Sequence, residues 1–183
     1  NSGGMLFIAT QKKLALDKPL RDDIYTVGVV VKVRQIIKTA GGHSLKVSVE
    51  AIKRAKIVSY IDDNTYFKVA VEELPYIPCD ETYAEAGMRS AKQTFAKFAL
   101  VNRAISKEMV ATMSEMTDAN TFMDNVLTVL PIPEDKKQAL LEVSDTKERL
   151  EKFVTLLMNE IELSNAQKKI EDIVKKNIDK SQK

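Results

Sequence analysis

The fold is decided by residues 24–50, which read IYTVGVVVKVRQIIKTAGGHSLKVSVE. β-Branched residues dominate the first part, and from Leu45 to Glu50 apolar and polar side chains alternate, as in a strand with one dry face. The Ala40-Gly41-Gly42-His43 segment lies between the two parts and supplies the glycines that a tight turn needs. The stretch therefore predicts a β-hairpin with arms at 24–37 and 45–50.

Flanking segments extend this hairpin into an antiparallel sheet. We expect a short strand at 6–10, a strand at 54–61, a turn at 62–64 and a last strand at 65–74 that ends before Pro75. The apolar face of such a sheet needs a cover, so the sheet either curls into a small barrel or packs against a helix.

After residue 79 the hydrophobic period changes from about 2 to about 3.6, which indicates helices. Asp80, Ser106 and Asp118 stand where they can cap successive helices, and Pro133 fits the first position of a short helix through residue 141. The sequence thus predicts an α+β protein with a β-rich lobe at 1–79, a helical lobe at 80–143 and a long helix within 144–183.

The last helix is the longest predicted element. It opens with the cap-like Asp145-Thr146-Lys147-Glu148, and its apolar stripe fades after Ile161 and then resumes at residue 170. A helix over 146–179 is about 50 Å long, more than a domain of this size can cover. We therefore expect its far part to lie against another chain or against a part of the protein absent from this sequence. The candidates for pairing between chains are Ile161, Ile170, Ile173 and Val174.

The composition limits the class of protein. The chain has 183 residues, 44% of them apolar and 30% charged, with a formal net charge of +2, so a packed core is expected rather than disorder. No apolar run approaches the length of a membrane span, and no export signal is visible. With a single cysteine, an internal disulfide is excluded and a cytoplasmic location is expected.

The residues that catalysis needs are scarce. The six glycines form neither a phosphate-binding loop nor a dinucleotide fingerprint, and the chain has one histidine, His43, and one cysteine, Cys79. His43 is interpreted as a turn residue, and the acidic neighbour of Cys79 is the opposite of the electropositive surroundings that a nucleophilic thiol needs. We expect no catalytic residue, no metal site and no cofactor in this chain.

Several segments in order resemble the N-terminal region of the Lon family of ATP-dependent proteases. They run along nearly the whole chain and comprise Phe7-Ile8-Ala9-Thr10-Gln11, Asp23-Ile24-Tyr25-Thr26-Val27-Gly28, Leu45-Lys46-Val47-Ser48-Val49-Glu50, Arg54-Ala55-Lys56-Ile57, Leu130-Pro131, Asp135-Lys136-Lys137-Gln138, Leu140-Leu141-Glu142, Asp145-Thr146-Lys147-Glu148-Arg149-Leu150, Glu160-Ile161-Glu162 and Lys168-Lys169-Ile170.

The resemblance implies a PUA-like β-rich lobe, whose first strand and helix would precede Asn1, then a helical lobe and a long helix that leads toward an ATPase module. In the family, ATP and Mg belong to that module, and a Ser/Lys dyad in a further domain cuts the protein substrate. The implied role of this region is non-catalytic: it captures unfolded or degron-bearing proteins and helps organise a homohexamer.

Exposed aromatic and aliphatic side chains near the loops are the candidates for substrate contact: Tyr60, Ile61, Tyr66, Tyr76 and Ile77. Packing within the protein would explain each of them equally well. A rival hypothesis is nucleic-acid binding by basic residues that share one sheet face, namely Lys32, Arg34, Lys38 and Lys46. A third is a stand-alone relative of the Lon N-terminal domain, which the apolar far part of the last helix argues against.

Overall fold

Strands come first and helices second in the computed structural model, which describes residues 4–13, 15–39, 44–61 and 66–181. The predicted α+β class is confirmed. The chain divides into two units, Asn1–Pro75 with the strands and Tyr76–Lys183 with the helices. The predicted turns at 40–43, including His43, and at 62–64 lie outside the described residues.

Four antiparallel strands form one sheet with the order β1-β2-β3-β4. They span Met5–Ile8, Val27–Lys38, Leu45–Ile61 and Lys68–Glu73, and a single 3-10 turn covers Arg21–Asp23. The two strands predicted at 45–50 and 54–61 are wrong as separate elements, because β3 runs through both. The alternation is lost between them because Ile52 forms a β-bulge. Val30 pairs with Lys53 and Val31 pairs with Ala51, so Ile52 has no partner on β2.

The sheet has one position that only glycine can fill. Gly28 of β2 is buried beneath β1, and a Cβ atom there would overlap the backbone carbonyl of Ile8 and crowd the ring of Phe7. The absence of a side chain at Gly28 therefore lets β1 pass close over β2.

Five helices follow in the part of the chain that the structure describes, and the starts of the first three agree with the predicted caps. They are α1 Glu81–Val101, α2 Lys107–Ser114, α3 Ala119–Val129, α4 Glu134–Leu141 and α5 Thr146–Ser181. The side chains of Asp80, Ser106 and Asp118 accept hydrogen bonds of 3.1, 3.2 and 2.7 Å from the backbone N–H three residues on. Pro133 immediately precedes α4 rather than occupying its first turn, a shift of one residue.

The core of the helical unit is aromatic. The rings of Phe95, Phe122 and Phe153 make two edge-to-face contacts, with centroids 6.2 and 6.0 Å apart, and all three side chains are fully buried. They come from α1, α3 and α5, so the first part of α5 is tied to the rest of the unit by apolar packing.

A buried arginine near the start of α5 adds a polar clamp. The guanidinium of Arg149 donates to the carbonyl of Leu140 at 3.1 Å, to Asn120 Oδ1 at 3.1 Å and to Asp124 at 2.5 Å. Its planar group also lies over the ring of Tyr76, 4.6 Å from the ring centroid. One side chain thus joins α5 to α3, to α4 and to the first residue of the helical unit.

Candidate functional site

The outer half of the β2–β3 hairpin, here called the hairpin arm, comprises residues 34–38 of β2 and 45–50 of β3. The β1 ladder reaches β2 only as far as Lys32, and the β4 ladder reaches β3 only as far as Ala55. Within the described residues, the hairpin arm is therefore two strands wide, and the outer edge of β3 has no neighbouring strand from residue 45 to residue 53. Such an edge offers backbone groups to another chain.

One face of the hairpin carries a continuous row of apolar side chains, here called the apolar strip. Directly opposite residues share a face, and the strip follows the pairs Val31–Ala51, Val33–Val49 and Ile36–Val47. Val31 and Val33 of β2 are buried, whereas Val49, Val47 and Ile36 are 40%, 44% and 54% exposed and Ala51 is exposed as well. The apolar strip is thus buried only at two positions of β2 and open to solvent along β3, a pattern that favours contact with another apolar surface.

A second exposed region, here called the aromatic patch, lies at the opposite end of β3. It contains three of the predicted substrate-contact residues, Tyr60, Ile61 and Tyr66, together with Phe67. Tyr60 and Phe67 are in edge contact, with centroids 6.0 Å apart. Ile61 is 45%, Tyr66 63% and Phe67 51% exposed. Tyr60 and Phe67 thus form one aromatic pair, whereas Ile61 follows Tyr60 in β3 and lies on the other face of the sheet.

Tyr60 is the fixed member of the aromatic patch. The Arg21 guanidinium carbon lies 5.0 Å from its ring centroid, and the Tyr60 hydroxyl donates a 3.3 Å hydrogen bond to the Arg21 carbonyl. Tyr60 is half-buried as a result. It packs against the more exposed Phe67, whose free surface can meet a ligand.

The other two predicted contact residues belong to the helical unit. The Tyr76 hydroxyl donates to the Asp124 carboxylate at 3.1 Å, and its ring lies under Arg149, so much of its surface is already in use. The Ile77 backbone bonds to residues 144 and 146, whereas its side chain is exposed. The five candidates are therefore divided between the two units of the chain.

The basic residues proposed for nucleic-acid binding do not share one face of the sheet, so that part of the prediction is wrong. Lys32 and Lys46 lie on the face opposite the apolar strip, whereas Lys38 pairs with Leu45 on the strip side. The cause is a β-bulge at Arg34 of β2. Beyond it, the even-numbered residues of β2 lie on the same face as the apolar strip. Arg34 itself forms an ion pair with Glu50.

The predicted assembly residues on α5 fall on two sides of the helix. Ile161 is half-buried and packs against the helical core. At about 100° per residue, Ile170 lies roughly half a turn around the axis from Ile161. Ile170, Ile173 and Val174 are exposed, together with Leu163 and Ile178. The far part of α5 thus carries its own apolar stripe, which faces away from the core that its first part covers.

The described side chains offer little for metal or acid–base chemistry. Among them, no three histidine, cysteine or carboxylate groups come together as metal ligands would. The pKa of Tyr83, which lies beside a shallow concave surface, is raised because its hydroxyl donates a 2.5 Å hydrogen bond to the Glu151 carboxylate. No helix in the described ranges is long and apolar enough to span a membrane.

Sequence reasoning missed two parts of these surfaces. Phe67 alternates with Val69 and Val71, which predicts one shared side of the last strand, but Phe67 lies just before β4 begins and is 51% exposed. Ile36 was not linked to Val47, because the extra residue at position 34 is invisible in the alternation. The signal that could have indicated this bulge is the Ile36-Ile37 pair, because in a strand with strict alternation one of these two residues would be polar.

Comparisons with known proteins give a consistent result. A family model described as the ATP-dependent protease La (LON) substrate-binding domain matches residues 2–159. The chain is 34% identical over 179 residues to Lon protease 1 of Bacillus subtilis, covering 98% of the chain and 23% of that protein. It is 32% identical to the Lon protease of Escherichia coli K12, covering 97% of the chain and 23% of that protein. The chain therefore spans less than a quarter of these relatives.

A solved structure with a similar fold is the N-terminal domain of the Mycobacterium avium complex Lon protease. The TM-score is 0.61 at 22% sequence identity, and the match covers 87% of this chain and 90% of that one. The similarity extends over both the strands and the helices.

Proposed function

The chain belongs to the family of ATP-dependent protease La (Lon) substrate-binding domains, and from this premise we propose that it captures unfolded or degron-bearing proteins for a Lon-type protease. The observation that carries the proposal is the aromatic patch, where Phe67 is 51% exposed against the fixed ring of Tyr60 and its sequence neighbour Tyr66 is 63% exposed. An unfolded protein differs from a folded one chiefly in the apolar side chains it presents, and these are what such a patch attracts.

The chemistry of the patch suits weak binding of many sequences. Aromatic rings give large contact areas at a small cost in side-chain entropy, and they do not demand a particular partner. The Arg21 group at its edge adds a positive charge that acidic segments of a substrate can approach. Substrate is then held loosely enough to be passed on.

We propose that the parent protein is a homohexameric, cytoplasmic, ATP-dependent serine endopeptidase. In it, ATP and Mg act in an ATPase module and a Ser/Lys dyad cuts the substrate, while this chain supplies no catalytic group. The exposed stripe at Ile170, Ile173 and Val174 supports a part in assembly, because an apolar stripe that its own unit leaves uncovered gains most from a partner.

Substrate capture is tested by measuring binding of the chain to a reduced, carboxymethylated protein that cannot refold and to the same protein in its native, disulfide-bonded form. We expect only the unfolded form to bind. Tyr66→Ser with Phe67→Ser should weaken that binding by roughly 70-fold, since each ring buries on the order of 50 Å² of apolar surface on contact and the two together are worth about 2.5 kcal/mol.

The matched control is Leu100→Ser, which removes a highly exposed apolar side chain from the helical unit. It should leave the affinity unchanged. Equal losses in both variants would mean that binding is non-specific, and equal binding of folded and unfolded protein would contradict substrate capture.

Assembly is tested separately by sedimentation over a range of concentrations. Ile173→Asp places a charge on the exposed stripe and should shift the chain toward its monomer mass. Asn165→Asp adds the same charge off the stripe, about 140° around the axis from Ile170 and about 180° from Val174, and should not. If the two variants sediment alike, the stripe has no part in association.

A further inference from the structure

Charge is strongly separated along the helical unit. Residues 86–107, on α1 and at the start of α2, contain five basic residues and no acidic one, whereas residues 108–135 contain six acidic residues and no basic one. The surface formed by the first set, here called the basic face, comprises Arg89, Lys92, Lys97, Arg103 and Lys107 together with Leu100. All six side chains are at least partly open to solvent.

The basic face has little neutralising charge of its own. Arg89 pairs with Glu85 at 3.1 Å, but both side chains are more than 70% exposed, so the pair is weak. Among the described residues, the other four cations form no ion pair with a carboxylate. A set of cations without nearby acids maintains a positive potential that attracts an acidic partner.

Part of the basic face is a straight stripe along α1. At about 100° per residue, its members lie within about 80° of the helix circumference and extend over roughly 16 Å of the axis. They are Arg89, Gln93, Lys97 and Leu100. Residues spaced by four form a ridge that a second helix can pack against. Leu100 is 82% exposed, and it gives the stripe an apolar contact beside its charges.

The stripe rests on a firm base. Phe95 and Phe98 bury the opposite side of α1 in the helical core. The α1–α2 connection is fixed as well, because Asn102 Oδ1 accepts a 3.0 Å hydrogen bond from the Ala104 N–H and Ile105 is buried. The cations therefore stand on a scaffold that needs little reordering when a partner binds.

We propose that the basic face binds a partner protein through an acidic helix, which packs along α1 with its carboxylates near Lys97 and Arg103 and an apolar side chain against Leu100. A nucleic acid fits this surface less well. The aromatic rings of this segment, Phe95 and Phe98, are buried and cannot stack on bases, and Leu100 offers no contact to a phosphate.

The proposed contact is independent of substrate capture at the aromatic patch. An unfolded chain does not present carboxylates and an apolar side chain at the fixed spacing of a helix, so it gains little from the stripe. Leu100→Ser should therefore weaken binding of an acidic helix while leaving capture of unfolded protein unchanged. Either function can fail without the other.

A synthetic helix tests the proposal. The probe is a labelled, alanine-rich helical peptide of about 20 residues, with glutamate at every fourth position and one central leucine. The comparison peptide carries lysine in place of each glutamate. Fluorescence anisotropy should show the acidic peptide binding at least roughly tenfold more tightly, with an affinity that falls as salt is added. Equal binding of the two peptides, or tighter binding of a DNA duplex of the same length, would overturn the proposal.

Two variants locate the contact. Lys97→Glu with Arg103→Glu should weaken binding of the acidic peptide by at least roughly tenfold. Lys168→Glu with Lys175→Glu is the matched control, because it makes the same change in net charge on the side of α5 away from its exposed stripe. Equal losses in both double variants would mean that only net charge matters and would refute a site on α1. An unchanged affinity of Leu100→Ser for the peptide would refute the helix packing.

Discussion

Replacing Arg149 by methionine tests how much the polar clamp at the start of α5 contributes to the helical unit. Methionine keeps the length of the side chain and its contact with neighbouring apolar atoms, but it removes every donor. The carbonyl of Leu140 and the amide oxygen of Asn120 then lose their charged partner, and the Asp124 carboxylate loses its ion pair.

The size of the effect follows from burial. Arg149 is fully buried, so its bonds to Leu140 and Asn120 are each worth about 1.5–3 kcal/mol. The pair with Asp124 adds about 1 kcal/mol at most, because that side chain is 44% exposed. Removing the arginine also removes the cost of burying its charge, so the expected net loss is about 3–5 kcal/mol, as for other broken buried pairs.

The assay is urea unfolding followed by far-UV circular dichroism at 222 nm, since all the helices of the described residues lie in the second unit. At a slope of about 1.5 kcal/mol per M, a loss of 3 kcal/mol lowers the midpoint by about 2 M. The control is Arg89→Met, which removes an exposed ion pair with Glu85 and should change the stability by less than about 0.5 kcal/mol. If the two variants unfold at the same urea concentration, the reasoning from burial is refuted.

Gly28→Ala should destabilise the sheet unit by about 1–3 kcal/mol, because the new methyl group meets the Ile8 backbone, and hydrogen exchange of the β1 amides would show it. Tyr83 should ionise at a higher pH than a free tyrosine, and Glu151→Gln should lower its pKa in a phenolate absorbance titration. The raised pKa favours folding below pH 10, and that contribution is lost as the pH rises through the raised value. Ser106→Ala should cost about 1 kcal/mol in thermal unfolding through loss of the α2 cap.

The helical unit could be predicted from sequence almost element by element. Its helices begin at Asp80, Ser106 and Asp118, where a short polar side chain precedes an apolar stripe, and this signal acts over three or four residues. The length of α5 was also predictable from its stripe. What the stripe did not reveal is that Ile161 and Ile170 lie on different sides, since both fit a loosely spaced apolar pattern.

The sheet was harder to predict from sequence, because its register and its bulges depend on contacts between residues that are distant in the sequence. The extra residues at Arg34 and Ile52 become visible only when β2 and β3 are paired, and they decide which side chains share a face. For the same reason, the prediction that four basic residues share one face of the sheet was wrong, because it assumed strict alternation along β2. The clamp at Arg149 was not predicted either, since its partners lie 9 to 29 residues away in the sequence.

Because α5 is long, a small change in its direction at the base displaces its far end by several ångströms. Its apolar packing holds the helix as far as Ile161, and about twenty further residues extend roughly 30 Å beyond that point at 1.5 Å per residue. A tilt of about 10° at the base would carry the far end through roughly 5 Å, the length of one helical turn. A small tilt within the helical unit would therefore move the far end by about one helical turn, which is enough to shift a packed neighbour from one turn of α5 to the next.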